Sequence, residues 1–219
     1  MIPANLKSRT QLDTVATSMF SQLRAGGFLA GEFRAEAFHR FKLGLKGRFV
    51  TTGTTITPIM ERVLFGLADA HRPRRTVALG SFEGYALAYL AAHRSGQVVG
   101  YDIDPGCCQL ARQNLAAVGL SDWVTIKTED AFAAQEEAAS IDLLYVDVEA
   151  GGSKAAYLPL LETWYPRLRP GALVLAHDIS VEKFQADLAP YMAQVRDKGR
   201  FSASISLRVD FCGLEVTRV

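Results

Sequence analysis

Residues 76–104, TVALGSFEGYALAYLAAHRSGQVVGYDID, contain the pattern that decides the fold. Apolar TVALG (76–80) predicts a strand, GYALAYLAAH (84–93) predicts a helix, and QVVGYDID (97–104) predicts a second strand. Strands that are apolar along their length have both faces buried, which is typical of parallel strands joined by crossing helices. This stretch therefore predicts one unit of a parallel α/β sheet.

The same alternation continues to the end of the chain. Three more strands are predicted, at residues 123–128, 141–148 and 171–178. Three helices accompany them, at residues 105–119, 153–168 and 181–198. Two last apolar runs, 201–209 and 211–219, predict an antiparallel hairpin. We therefore predict a doubly wound α/β fold with a Rossmann-like mixed sheet, parallel except for its C-terminal hairpin.

The N-terminal part of the chain has helical spacing and no strand pattern. Four apolar residues recur at helical intervals: Leu12, Val15, Met19 and Leu23. A second helical run covers residues 32–41, and a third begins at Thr57-Pro58, where threonine can cap and proline can occupy the first turn. We predict a helical N-terminal extension over residues 1–60 and a sheet domain over residues 61–219.

Charge, hydropathy and cysteine content exclude several classes of protein. The chain carries 24 Lys and Arg against 23 Asp and Glu, so it lacks the basic surface that nucleic-acid binding requires. No apolar run approaches the ~20 residues of a membrane span, and the first residues lack a signal-peptide core. The three cysteines have no metal-type spacing and are expected to be free thiols. We expect a cytoplasmic protein without nucleic-acid or membrane partners, and we leave a homodimer open.

Ligands of such a sheet bind beyond the carboxyl ends of its strands, so the residues that follow each strand are the candidates for a site. The first strand is followed by Gly80-Ser81-Phe82-Glu83-Gly84-Tyr85, whose glycines allow a ligand to approach the backbone closely. This stretch is neither a dinucleotide fingerprint nor a phosphate loop. An ordinary strand-to-helix turn is an equally good interpretation of it.

Acidic residues follow each later strand. Asp102 comes roughly 20 residues after the glycine loop, where a carboxylate can accept hydrogen bonds from ribose hydroxyls. Asp104 precedes Pro105 and is better interpreted as a helix cap. Asp130 could contact an adenine amino group or cap a helix, and Asp147 ends the fourth strand. The fifth strand ends in His177-Asp178.

Together these residues resemble the class I S-adenosylmethionine-dependent methyltransferases, and most closely the small O-methyltransferases of the catechol and caffeoyl-CoA type. Four segments carry the resemblance in order and spacing: LGSFEGYALAYLA (79–91), VVGYDIDP (98–105), VDVEAGG (146–152) and RPGALVLAHD (169–178). The stretch TGTTITPIMERVL (52–64) is similar to the segment that lies over the cofactor in that group. The resemblance runs from about residue 50 to the C-terminus.

The resemblance implies a role for each of these positions. Asp102 would bind the ribose of S-adenosylmethionine, Asp130 with Ala131 would bind the adenine, and Asp147 would lie near the sulfonium. The methionine part would be held by the loop after the first strand: Gly80, Ser81, Phe82, Gly84 and Tyr85. The extension over residues 1–60 would cover this end of the cofactor and the small-molecule substrate.

Two positions depart from the family. The family's acid two residues before the first glycine is replaced by Ala78. Metal-dependent members place an Asp-Asn pair after the fifth strand, where this chain has His177-Asp178. A divalent metal at Asp147, His177 and Asp178 is possible but not favoured, because Mg²⁺ prefers oxygen ligands. We predict that His177 acts as a base oriented by Asp147 or Asp178, although a merely hydrogen-bonded histidine is an equal alternative.

The implied reaction is methyl transfer from S-adenosylmethionine to a small molecule, most plausibly at oxygen. One alternative uses the same cofactor for internal attack by its own amine, which releases methylthioadenosine. A non-catalytic cofactor-binding module is the third alternative, and the series of acids at the strand ends makes it the least favoured.

Overall fold

The computed structural model describes residues 8–53 and 56–219, and seven strands within these ranges form one sheet. They are β1 (Arg75–Leu79), β2 (Gln97–Asp102), β3 (Val124–Thr128), β4 (Ile141–Val146), β5 (Leu168–His177), β6 (Ala203–Leu207) and β7 (Leu214–Arg218). Their order across the sheet is β3-β2-β1-β4-β5-β7-β6. The strands from β3 to β5 are parallel, and β7 is antiparallel to both β5 and β6. The Rossmann-like mixed sheet is confirmed.

The strand order reverses between β1 and β4, and this reversal positions the site. The chain passes from β1 outward to β2 and β3, and then returns to place β4 on the other side of β1. Leu79 at the end of β1 is in register with both Tyr101 of β2 and Val146 of β4. The carboxyl ends of these strands therefore open into one crevice, where ligands of doubly wound sheets bind.

Seven α-helices are present in the described part of the chain. They are α1 (Arg9–Ala25), α2 (Ala35–Leu45), α3 (Pro58–His71), α4 (Tyr85–Leu90), α5 (Pro105–Ala117), α6 (Tyr157–Trp164) and α7 (Gln185–Val195). Helices α1 to α5 cover one face of the sheet, and α6 and α7 cover the other. Alternate residues of β1 divide between these layers, because Ala78 belongs to the first apolar cluster and Val77 and Leu79 to the second.

The predicted helical extension is confirmed over its described residues. Helix α1 buries Met19 and Leu23 against the same apolar cluster as α3 and α4. Buried Arg62 of α3 ties the layer together, since its Nε lies 2.7 Å from Asp13 Oδ1. Thr57 and Pro58 begin α3 as predicted, with Thr57 Oγ1 accepting from the Met60 N–H. The division into two domains at residue 60 stays a prediction.

Several element boundaries differ from the predicted ones. Helix α4 ends at Leu90, and the predicted helix 153–168 shortens to α6 followed by a 3-10 turn at Tyr165–Arg167. Ser153 Oγ and the Lys154 N–H both donate to Asp187 Oδ2 on α7, which holds this stretch out of the helix. The predicted helix 181–198 likewise becomes a 3-10 turn, Glu182–Phe184, followed by α7. Among the described residues, no helix combines the length and hydropathy needed to span a membrane.

Candidate active site

The loop after β1 is drawn tightly against the neighbouring strands. The N–H groups of Gly80 and Ser81 both donate to the Tyr101 carbonyl of β2, at 2.9 and 3.0 Å. Gly80 has φ 83°, and a Cβ on it would lie 2.3 Å from the Asp147 carbonyl oxygen. Only glycine fits such a position. The two strands on either side of β1 therefore meet at this loop.

Asp102 at the end of β2 lies directly beside this loop, as the sequence predicted. Its Oδ2 accepts from the Phe82 N–H at 2.8 Å, and its Oδ1 accepts from the Asp104 N–H at 3.1 Å. Phe82 adopts φ 43°, a conformation that non-glycine residues seldom take and that often marks functional sites. Each carboxylate oxygen retains a free lone pair, so the group can still accept from two ligand hydroxyls.

Of the acids that follow β2 and β3, Asp104 caps a helix, whereas Asp130 holds a turn in a described stretch that contains no helix. Asp104 is the N-cap of α5, and its Oδ1 accepts from the Cys107 N–H at 2.8 Å, which confirms the interpretation given to it. Asp130 Oδ1 accepts from the Phe132 N–H at 2.9 Å, and the Ala131 carbonyl accepts from Trp164 Nε1. The helix-cap interpretation of Asp130 is therefore wrong, and a carboxylate that holds a turn can still face a ligand.

Exposed apolar side chains follow the same three strands, and the sequence analysis named only the first of them, Phe82, as part of the β1 loop. Phe82, Ile103 and Phe132 come directly after β1, β2 and β3 and are 42%, 72% and 47% exposed. Large apolar side chains rarely gather in the open without a ligand or partner to cover them. The signal was available in the sequence, since each of them stands within four residues of a strand end.

Glu83 of the β1 loop is another residue to which the sequence analysis gave no role. It is 1% exposed, and its carboxylate accepts from both the backbone N–H and the hydroxyl of Thr52. Asn114 of α5 holds Val50, two residues before Thr52. Its side-chain amide donates to the Val50 carbonyl and accepts from the Val50 N–H. These bonds at Val50 and Thr52 fasten the stretch before α3 against the β1 loop, and its position over the cofactor stays a prediction. Residues 54–55 lie outside the described part of the chain.

At the ends of β4 and β5, Asp147 and His177 are paired, as the sequence analysis proposed. Asp147 Oδ2 lies 3.1 Å from His177 Nδ1 and accepts from the Tyr145 hydroxyl at 2.9 Å. Asp178 Oδ1 is farther from the same ring nitrogen, at 3.7 Å, so Asp147 is the orienting carboxylate. His177 Nε2 is buried and has no hydrogen-bond partner within residues 8–53 and 56–219.

Lys154 lies between the two carboxylates, and the sequence analysis did not identify it. Its Nζ is 2.8 Å from Asp147 Oδ1 and 2.7 Å from Asp178 Oδ2, and it also donates to the Tyr157 hydroxyl at 3.2 Å. The side chain is only 1% exposed. The sequence hint was its nearness to the acid that ends β4, but the predicted helix 153–168 placed it on a helix instead.

The charged forms of this cluster stabilise one another. Burial alone would lower the pKa of His177, but the adjacent Asp147 carboxylate raises it above its usual value. Burial opposes the charge of Lys154 too, and Asp147 and Asp178 raise its pKa. Burial would raise the pKa of Asp147, but His177 and Lys154 hold it well below its usual range. The site therefore keeps an ammonium between two carboxylates at neutral pH.

These residues do not fit the divalent metal of the metal-dependent O-methyltransferases. Both carboxylates already bind the Lys154 ammonium. Among the described residues, the cluster that could hold a metal is His177, Asp178 and Cys212, whose ligand atoms lie within 4.8 Å of one another. Imidazole and thiol suit softer metals than Mg²⁺, which requires an oxygen-rich octahedral shell.

Comparison with known proteins identifies a domain in the central part of the chain. Residues 77–179 match a family model described as a methyltransferase domain. This part of the chain is therefore similar to methyltransferase domains, in agreement with the motifs that resemble the class I methyltransferases. No curated protein matches the sequence.

Three solved structures to which the chain is similar are described as methyltransferases. The methyltransferase PaMTH1 of Podospora anserina, bound to SAH (S-adenosylhomocysteine), is 15% identical, with 100% of this chain and 97% of that chain covered and a TM-score of 0.68. The O-methyltransferase of Bacillus cereus in complex with SAH is 15% identical over 94% and 99% of the chains, with a TM-score of 0.66. TomG of Streptomyces achromogenes, an O-methyltransferase of tomaymycin synthesis solved with SAM, is 17% identical over 97% and 98%, with a TM-score of 0.63. At these identities the similarity establishes the fold.

Proposed function

We propose that this chain binds S-adenosylmethionine and transfers its methyl group to an oxygen atom of a small molecule. The observation that carries the proposal is the convergence at one edge of the sheet of two different sets of residues. Asp102 and the β1 loop lie on one side of the crevice, and the Asp147–His177 pair lies on the other. The three similar structures named above, two bound to SAH and one to SAM, support the choice of cofactor.

The β1–β3 side has the groups that an adenosine requires. The Asp102 carboxylate would accept from the ribose hydroxyls, and Asp130 with Ala131 would face the adenine edge. The exposed side chains of Phe82, Ile103 and Phe132 would cover the faces of the base, which is how large apolar and aromatic groups bind planar rings. The turn at Gly80 packs against the Asp147 carbonyl, which brings the β1 loop beside the strand end where the methionine part would lie.

The β4–β5 side has the groups that an acceptor hydroxyl requires. When bound, S-adenosylmethionine supplies a sulfonium methyl group, and the new C–O bond forms in line as the C–S bond breaks. Asp147 would hold the Nδ1–H of His177, which leaves Nε2, a buried nitrogen without a hydrogen-bond partner among the described residues, to accept a proton. Nε2 then takes the hydroxyl proton, a step that contributes typically 10²–10⁴-fold to rate. Holding both reactants in line supplies a further, separate part of the rate enhancement.

The sulfur-containing product tests this function directly. The full chain would be incubated with S-adenosylmethionine and a panel of small phenols, catechols and hydroxy acids, and the products separated by mass spectrometry. S-adenosylhomocysteine together with an acceptor heavier by one methylene unit is the expected result. Methylthioadenosine formed without an acceptor would instead establish the cyclisation chemistry. Binding without either product would indicate a non-catalytic module.

A further inference from the structure

The ammonium of Lys154 is built into the fold with all of its donors used. Its three N–H groups point to Asp147 Oδ1, Asp178 Oδ2 and the Tyr157 hydroxyl, at 2.8, 2.7 and 3.2 Å. The rings of Tyr157 and Phe184 lie 5.4 and 5.5 Å from Nζ and complete the enclosure. An ammonium with three such partners has no free proton to exchange with a substrate, so Lys154 is a positioning residue.

The backbone of Lys154 is fixed from outside the loop that carries it. Asp187 on α7 accepts from both the Ser153 hydroxyl and the Lys154 N–H, at 2.6 and 3.0 Å. Gly151 and Gly152 precede it with positive φ and let the chain turn back toward the sheet after β4. Removing a lysine from water is costly, and the cost is offset only by close, well-formed ion pairs. The fold therefore aims this charge at the two strand-end carboxylates.

We propose that the Lys154 ammonium takes the place of a divalent cation between Asp147 and Asp178, so that the site is held together by an internal charge. Two carboxylates at the ends of adjacent strands β4 and β5, each within 3 Å of one central atom, form the arrangement that a hard cation would otherwise bind. Lys154 contributes one positive charge. His177 contributes a second once its Nε2 has taken the acceptor's proton, so the pair then carries the charge of a divalent ion.

This arrangement predicts that the lysine excludes a metal and that its removal admits one. The decisive comparison uses the intact wild-type chain, Lys154→Met and Lys183→Met. Methionine keeps most of the length of lysine without its charge. Lys183 is the matched control because it pairs with an exposed carboxylate, Glu149, so its loss frees one acid at the surface. Mn²⁺ alone is the probe, followed by electron paramagnetic resonance and by thermal unfolding with and without the ion.

We expect Lys154→Met to bind one Mn²⁺ at least about tenfold more tightly than wild type or Lys183→Met, because the two oxygens that held the ammonium, Asp147 Oδ1 and Asp178 Oδ2, are then free to ligate. Mn²⁺ should also restore part of the melting temperature that this variant loses. Equal Mn²⁺ binding by all three proteins, or none by a folded Lys154→Met, would overturn the proposal. Should that variant fail to fold, the wild-type chain decides: tight Mn²⁺ binding overturns the proposal, and a turnover unaffected by exhaustive chelation supports it. The activity readout rests on the proposed function, whereas the Mn²⁺ readout stands even if no methyl transfer is found.

Discussion

The loops after β1–β3 and the loops after β4–β5 share one edge of the sheet, but their carboxylates are held by different means. On the first side, backbone N–H groups hold the acids, as those of Phe82 and Asp104 hold Asp102. On the second side, charged side chains hold them, as Lys154 and His177 hold Asp147. Backbone amides fix a carboxylate in position and leave its charge for the ligand. Charged partners stabilise the ionised form of a carboxylate, and they therefore also set the protonation states of the site.

This difference predicts that the two sides fail in different ways. Removing an acid on the β1–β3 side should weaken cofactor binding and leave the chemistry intact. Removing one on the β4–β5 side should damage the chemistry and the local stability together, because a buried charge then loses its partner.

The largest effect is expected for Asp147→Asn. The amide cannot hold the His177 Nδ1–H as a carboxylate does, and it leaves Lys154 with Asp178 as its only anionic partner. We expect kcat to fall by about 10²–10⁴-fold, with little change in S-adenosylhomocysteine affinity measured by calorimetry. Asp142→Asn is the matched control, because Asp142 lies on the same strand and bonds the Arg74 and Arg75 N–H groups at its far end. A similar loss of kcat in both variants would show that Asp147 acts through stability alone.

The next effect in size is expected for Asp102→Asn, on the other side of the crevice. The amide oxygen can still accept from the Phe82 N–H, so the loop should stay in place while the charge is lost. Losing charge-assisted hydrogen bonds costs about 1.5–3 kcal/mol, which weakens binding of both S-adenosylmethionine and S-adenosylhomocysteine by about 10- to 100-fold.

Asp104→Asn serves as the control for Asp102→Asn, because asparagine caps a helix as well as aspartate does and the charge removed lies only two residues away. Calorimetry on the folded proteins would separate the two variants. Unchanged affinity in Asp102→Asn would move the ribose contact to another residue.

The β1–β3 side could be predicted from the sequence because its determinants are local. Gly80, Asp102 and Asp104 each stand within two residues of a strand end, and their partners lie in the β1 loop, at the end of β2 or at the start of α5. Strand periodicity locates the strand ends, and the known preferences for glycine in tight turns and aspartate at helix N-caps then predict which residues follow them.

The β4–β5 side was only half predicted because its key residue is positioned over a long range. Asp147 and His177 follow from the strand pattern alone. The position of Lys154 depends on a hydrogen bond from its backbone N–H to Asp187, 33 residues later on α7. That bond keeps Lys154 out of the helix that the sequence pattern predicts. A pattern with helical spacing cannot show that a distant side chain competes for its first turn.

The smallest predicted effect is a displaced acid limb in the pH profile, and it reports the charge balance around His177. A free imidazole titrates near ~6.5. Burial would lower the pKa of His177, but the negative charge of Asp147, supported by Asp178 and Asp210, raises it. Two further groups face this cluster: the Lys154 ammonium, whose charge opposes that of the imidazolium, and the Cys212 thiol, which stays neutral. A base works only when unprotonated, so kcat/KM should fall as pH decreases through a value above ~6.5, by about tenfold per pH unit. His177→Gln should remove this limb together with most of the activity, whereas Lys183→Met should leave it in place. A wild-type limb at or below ~6.5 would show that Asp147 does not stabilise the imidazolium.

The same shift makes protonated His177 a group that stabilises the folded chain. Its contribution is complete below the pKa of the unfolded state and is lost as pH rises through the pKa of the folded state, so the melting temperatures of wild type and His177→Gln should converge at high pH.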